Sequence, residues 1–430
     1  MHVLPRVREL EERFAEELVV IGVHAGKFSA ERLTRNLDAA CRRLGVRHAV
    51  VNDRQFRIWK AYAVKAWPTV VLVDSAGMIV GVQSGEFPVD AMADAITSIA
   101  ERDRHRGLLR PAPDPARPPE LGDTGVLRFP TRVIAEGAHR WISDAGHGRV
   151  CELKVLPDGA WRIAESWGGF VEPQGLARLD GETFVADRRG HAVFRLEEGG
   201  GATKVAGTGS IGEYRLGPGP AAQIDLRSPW GLSTLPDGDL AIAMAGSHQL
   251  WRLERDRFGG FDEAALAPLA GAGGEDILDG PSDTSLLAQP TGLALDGQMM
   301  AFADSESSAV RFLDLTGPTV GTLVGTGLFD FGDRDGTGDE ALLQHAQDVA
   351  WWGNQIVVTD TYNDRLKLID PRTRRCEPYP GAAGEAGAFW EPMGISAHSE
   401  ELLVADTNNH RIVRVAAGGE MSPVRIEEPA

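Results

Sequence analysis

The chain has 430 residues, with 62 Asp and Glu against 44 Lys and Arg and three cysteines, Cys41, Cys151 and Cys376. That length supports two domains, the lack of any run of 18 apolar residues argues against a transmembrane helix, and so few thiols without motif spacing argue against a disulfide framework. Charge is uneven: residues 1–110 hold 17 Lys and Arg against 14 Asp and Glu, the remainder 27 against 48, and an acidic remainder repels phosphate backbones, so nucleic acid is not an expected partner.

Hydrophobic periodicity predicts an amphipathic helix from Val3 to Glu17 and a buried strand over Leu18–Val23. Ser29 is positioned to cap a helix running to Leu44, and Val46 to Val51 reads as a second strand. Asp53 opens a short helix through Trp59. Ala66-Trp67-Pro68-Thr69 leads into strand Val70–Val73, a turn at Asp74–Gly77 into strand Met78–Gln83, and Pro88 to Arg102 closes with a helix. Helices alternating with apolar strands define an α/β layer domain over residues 1–105. Residues 106–122, rich in Pro and Arg, read as a semi-rigid linker. The chain starts with a charged helix rather than an apolar leader, so a cytoplasmic protein without a membrane anchor is expected.

From residue 123 to 427 the rhythm changes to a repeat. A Pro-x-Gly opening, a short apolar strand ending in Asp, a polar turn and an alternating strand recur six times, the signature of a propeller or solenoid. The openings fall at Pro130, Pro173, Pro229, Pro290 and Pro392, with Ala346 in the fifth copy, and the turn positions at Asp144, Asp187, Met244, Asp304, Asp360 and Asp406. Pro cannot donate to a ladder and so begins a strand; Gly permits a bend, and Asp closes the turn through its side chain. Gly-rich connectors such as Val205–Gly209 and Leu323–Gly327 separate the copies. Six four-stranded blades are predicted, with Val126–Phe129 completing the last blade and closing the ring.

These repeats resemble the NHL repeat. The front segment resembles a TlpA-like thioredoxin domain, in the version fused to NHL repeats in the NHL-repeat-containing protein 2 family. The matching stretches are Val20–Phe28, Val51-Asn52-Asp53 and Trp67-Pro68-Thr69, whose proline matches the thioredoxin loop proline that is usually cis. The resemblance implies a multidomain chain, a thioredoxin-like domain followed by an all-β six-bladed NHL propeller. It also implies a central strand and a Cys-x-x-Cys just before a His-Val-Leu-Pro-like helix start, and Met1-His2-Val3-Leu4-Pro5 stands there instead. Three outcomes are open: a start assigned too far downstream, which is favoured, rejoined strands, or a compromised domain. Strands 18–23 and 69–73 should either pair directly or face each other across a gap.

Dithiol exchange requires a thiolate at a helix N-terminus and a resolving thiol. With neither present, no catalytic residue is assigned, and no cofactor is expected without a Walker, dinucleotide or Gly-x-Ser-x-Gly element. Trp67, Pro68 and Thr69 form a candidate peptide-binding cleft, or else a purely structural turn. His191, His248 and His410 each lie four residues after a turn position. Zinc, which the resembling propeller of the peptide-amidating lyase uses, requires convergent ligands, so these read as structural histidines and no metal is expected; His345 stays unassigned. The loop Asp330–Asp339 has calcium-like carboxylate spacing, but Arg334 interrupts it and no bidentate Glu follows, so a solvated loop is preferred. Glu275–Gly280 is a weaker echo. The expected function is a protein- or peptide-binding scaffold. The alternative is a thiol–disulfide oxidoreductase whose Cys-x-x-Cys lies upstream, its redox substrate selected by the propeller.

Overall fold

The computed structural model describes residues 3–110, 122, 124–213, 217–381 and 389–429, and the chain divides into Met1–Gly122 and Asp123–Ala430. Most of the expected linker, residues 111–121, lies outside the described residues.

The first unit contains α1 (Val3–Arg13), β1 (Ile21–His24), α2 (Thr34–Leu44), β2 (Ala49–Asn52), α3 (Arg57–Ala61), β3 (Thr69–Val73), β4 (Ile79–Ser84) and α4 (Val89–His105). Leu10 and Phe14 pack with Phe87, Ala93 and Ile96 in its core. Asp53 opens α3 as expected, its carboxylate accepting from the backbone N–H groups of Arg57 at 2.7 Å and Trp59 at 2.8 Å. Ser29 does not cap α2. It starts a short 3₁₀ turn, Ala30–Arg32, and α2 follows Leu33, which offers no capping side chain. The Trp67–Pro68 bond is cis.

β1 pairs in parallel with β2, and β3 antiparallel with β4, as two separate two-stranded sheets. The strands at 18–23 and 69–73 therefore do not pair with each other. Ile21, Val23 and Val51 on one sheet and Ile79, Val80 and Val82 on the other are exposed. Ladder groups with water beside them open easily. Amides of Val19–Val23 and Val70–Val73 should exchange hydrogen faster than those of Leu402, Leu403 and Val404. Equal, strong protection in both places would show that the small sheets are stabilised in some other way.

The second unit is a six-bladed, all-β propeller. Its innermost strands open at Pro130, Pro173, Pro229, Pro290, Asp348 and Pro392 and neighbour one another in a closed ring, the sixth beside the first. Each blade has four antiparallel strands, and apolar residues from adjacent blades interleave, as Val193, Trp251 and Leu253 do. Burial of side chains of that size stabilises by about 1.5–3 kcal/mol each.

The glycine of Pro-x-Gly turns out to have a different purpose from the bend anticipated. A Cβ at Gly175 would stand 2.3 Å from the Trp230 carbonyl oxygen, at Gly231 2.0 Å from that of Thr291, and at Gly394 2.3 Å from that of Thr131. Each glycine lets its blade touch the backbone of the next. Ring closure also differs from expectation. Val126–Phe129 is not a strand; Met421–Pro423 completes blade six. Ile426–Glu427 instead adds a fifth strand to blade one, pairing in parallel with Trp161 and Arg162. Blades three to five gain short outer strands from the preceding loops, at Gly219–Pro220, Gly280–Pro281 and Gly336–Thr337.

Candidate functional site

In the first unit the candidate cleft centres on Trp67. Trp67 is 48 % exposed, yet its Nε1 donates to the Ala25 carbonyl at 2.7 Å and its ring centre lies 4.6 Å from that of Trp59, the two rings tilted by 40°. Phe56 meets both rings edge-on. Pro68 is exposed, and its carbonyl accepts from Gly85 N–H. The Thr69 hydroxyl is already engaged, donating to Ala66 O at 2.7 Å with Ser84 Oγ at 3.2 Å. Trp67 and Pro68 are thus the residues a partner can reach, and Thr69 belongs to the loop's own bonding. A second cavity of about 270 Å³ lies between β4 and α4, lined by Val80, Val82, Phe87 and Met92 among others.

The propeller turns are bonding stations. The turn carboxylate reaches beyond its own turn to the backbone N–H two residues before the opening position. Asp144 accepts from Arg128, Asp304 from Ala288, Asp360 from Gln344 and Asp406 from Trp390, at 2.7–2.8 Å. Met244 has no carboxylate to offer, and blade three keeps the backbone bond from Gly246 N–H to Arg227 O that its counterparts also make, such as Gly146 N–H to Arg128 O. Arg149 and Arg411 pair with their turn carboxylates at 2.8 and 2.7 Å. Arg365, the same position in blade five, turns instead to Asp333.

His191, His248 and His410 are staples between blades. Each occupies the left-handed backbone region, and its Nδ1 accepts the N–H just before the opening proline of the next blade: Ser228, Gln289 and Phe129, at 3.2, 3.2 and 3.0 Å. Ser308 and Asp364 do the same for His345 and Glu391. Accepting requires a neutral ring, and burial lowers the pKa of His191 and His410 to about 4. The folded values lie below the unfolded value near 6.5. Their contribution is complete above pH 6.5 and declines as pH falls toward 4. A His191→Asn/His410→Asn variant should therefore lose less melting temperature than the parent between pH 7 and 4.5. Parallel pH profiles would remove the staples from the account.

The acidic loop 330–339 already holds a cation, a lysine. Lys367, fully buried, places Nζ 2.9 Å from Asp333 and 3.1 Å from Asp335, while Arg365 adds a contact to Asp333 at 2.8 Å. The weaker echo behaves likewise: buried Arg311 pairs with Asp279 and Asp304, both at 2.9 Å. Among the described residues no cluster of three His, Cys, Asp or Glu is arranged to hold a metal. His345 stacks on Tyr362 with ring centres 4.5 Å apart.

On the axis the repeat rule breaks twice, at positions that a consensus of the copies conceals. Where four blades carry the close-approach glycine, blade one has Arg132 and blade five Asp348. These two pair with each other, and Asp348 also accepts from Ile395 N–H at 2.8 Å in blade six. Burial lowers the Arg132 pKa to about 10, so it stays charged at neutral pH. A cavity of about 20 Å³ remains, about the space of one water molecule. The signal was present in Pro130-Thr131-Arg132 and Ala346-Gln347-Asp348, had the third position been compared across copies.

Fold and turns together define an NHL-repeat β-propeller. The chain is 32% identical to human NHL repeat-containing protein 2 over 473 aligned residues, covering 96% of this chain and 64% of that protein. It is 31% identical to the chloroplastic protein SUPPRESSOR OF QUENCHING 1 of Arabidopsis thaliana, over 96% of this chain and 42% of that one. The chain thus spans less than two thirds of the length of either relative. No family model matches it. Among solved structures, an auxiliary nutrient binding protein from Bacteroides thetaiotaomicron aligns with a TM-score of 0.51 and 11% identity, over 69% of each chain, a likeness of fold alone. No helix among the described residues is long and apolar enough to cross a membrane.

Proposed function

We propose that the chain is a scaffold for protein or peptide partners. In this reading an NHL-repeat propeller over 123–427 is joined through 106–122 to a thioredoxin-like α/β domain over 1–105 that lacks a redox pair. The observation carrying it is the state of the thiols: Cys41, Cys151 and Cys376 are all buried and unpaired. Burial raises the pKa of Cys151 to about 11 and of Cys376 to about 12, and raises that of Cys41 too. A protonated, buried thiol is a poor nucleophile. Free thiols also suit a reducing compartment such as the cytoplasm.

The pinned, half-exposed ring of Trp67 supports a partner site in the first unit. The closed axis of the propeller leaves its loops and rims as the surfaces for recognition. Insulin reduction with dithiothreitol should match a no-protein control, and turnover abolished by Cys41→Ser would overturn the scaffold reading. Selection of a displayed peptide library on the immobilised full chain should enrich binders that Trp67→Ser weakens. A library that yields no binder would count equally against it.

A further inference from the structure

The segment 54–69 carries four cations, Arg54, Arg57, Lys60 and Lys65, and no carboxylate. All four are exposed. The adjacent carboxylate, Asp53, is buried and accepts from Arg57 and Trp59 N–H. It acts on Arg57 electrostatically and presents little charge to solvent. Among these cations stand Tyr62, 43 % exposed, and Trp67, 48 % exposed. Trp67 is fixed by its bond to Ala25 and by the Trp59 ring. A rigid aromatic surface needs little ordering on binding, and aromatic and Arg side chains are the residues that dominate interfaces.

We infer that this face, α3 with the loops on either side, docks an acidic segment of a partner protein in which apolar side chains alternate with carboxylates. Apolar side chains would lie on Trp67 and Tyr62 while carboxylates meet Arg54, Arg57, Lys60 and Lys65. The inference rests on the scaffold reading and names the partner's chemistry. Charge complementarity carries it: a one-sign patch attracts the opposite sign and rejects its own. The acidic remainder of the chain weighs against a nucleic-acid occupant.

The test uses the full chain and a fluorescein-labelled twelve-residue peptide of alternating Glu and Phe, with an alternating Gln and Phe peptide and a twelve-nucleotide poly-uridine as comparators. Fluorescence anisotropy should show the Glu peptide binding at least roughly tenfold tighter than the Gln peptide at low salt. That advantage should shrink about tenfold at 0.5 M salt and vanish in Arg57→Glu/Lys60→Glu, whose exposed positions leave the fold intact. Tyr62→Ala should weaken both peptides. Equal binding of the Glu and Gln peptides overturns the charge inference but leaves the scaffold reading standing; no binding by either sinks the docking face altogether. Tighter binding of poly-uridine, or salt-sensitive self-association of the chain, would assign the face to another occupant and overturn the proposal.

Discussion

Arg132→Gly is expected to destabilise the propeller by about 3–5 kcal/mol, because it leaves a buried carboxylate at Asp348 without its cation. For a domain of this size that is a fall of roughly 10 °C in the midpoint of its melting transition. Asp348→Gly should be comparably harmful, stranding the guanidinium and freeing the Ile395 N–H it now bonds. Combining Arg132→Gly with Asp348→Gly restores the glycine found in the other four blades, so the double variant should recover part of the loss. A coupling of roughly 1–3 kcal/mol is expected. Strictly additive single variants would mean that the pair across the axis is not the stabilising contact.

Lys367→Met should have the next largest effect. It removes a buried ammonium from Asp333 and Asp335 and leaves Asp360, whose pKa burial already raises to about 7. An acid whose folded pKa exceeds its unfolded value near 3.9 is best tolerated below that value. Its stability contribution is lost as pH rises through 7. Without Lys367, which lowers the pKa of Asp360, the carboxyl stays protonated to a higher pH, so this part of the deficit should appear near pH 7 and grow above it. Asp333 and Asp335 are partly exposed and can take up water in place of the ammonium, so the total cost should be smaller than for a fully buried pair, about 1–3 kcal/mol. Measured melting midpoints that differ from the parent by the same amount at pH 5 and 8 would separate Lys367 from Asp360.

Much of the propeller was legible because sheet repeats write their boundaries locally: Pro opens, Asp turns, alternation fills the strand. The geometry between copies was not legible. Whether the histidine four residues past a turn binds metal or staples a neighbouring backbone depends on where the next copy sits, as His410 and Phe129, 281 residues apart, demonstrate. The exceptions at Arg132 and Asp348 appeared as noise in a consensus, yet they meet across the axis. In the first unit the elements fell close to their expected places, because periodicity and the Asp53 cap are local signals. The separation of the two small sheets was anticipated only as one of two outcomes. Strand pairing depends on residues distant in sequence, and β1 and β3 carry similar apolar patterns whether paired or apart. The face of Arg54, Arg57, Lys60 and Lys65 disappears in a charge total over 110 residues, which averages a local excess nearly to zero.

The seat of Ile426–Glu427 on the outer edge of blade one has a consequence for biosynthesis. On the ribosome, blade one emerges roughly 260 residues before the strand that flanks it and before the His410 staple at its mouth, so its outer edge stays uncovered for most of translation. At about 5–20 residues per second, that interval lasts tens of seconds. During it Trp161 N–H, which finally bonds to Arg425 O at 2.9 Å, has only water or a chaperone to satisfy it. Nascent chains stalled shortly before residue 425 should therefore remain protease-sensitive at blade one, while the middle blades already resist digestion.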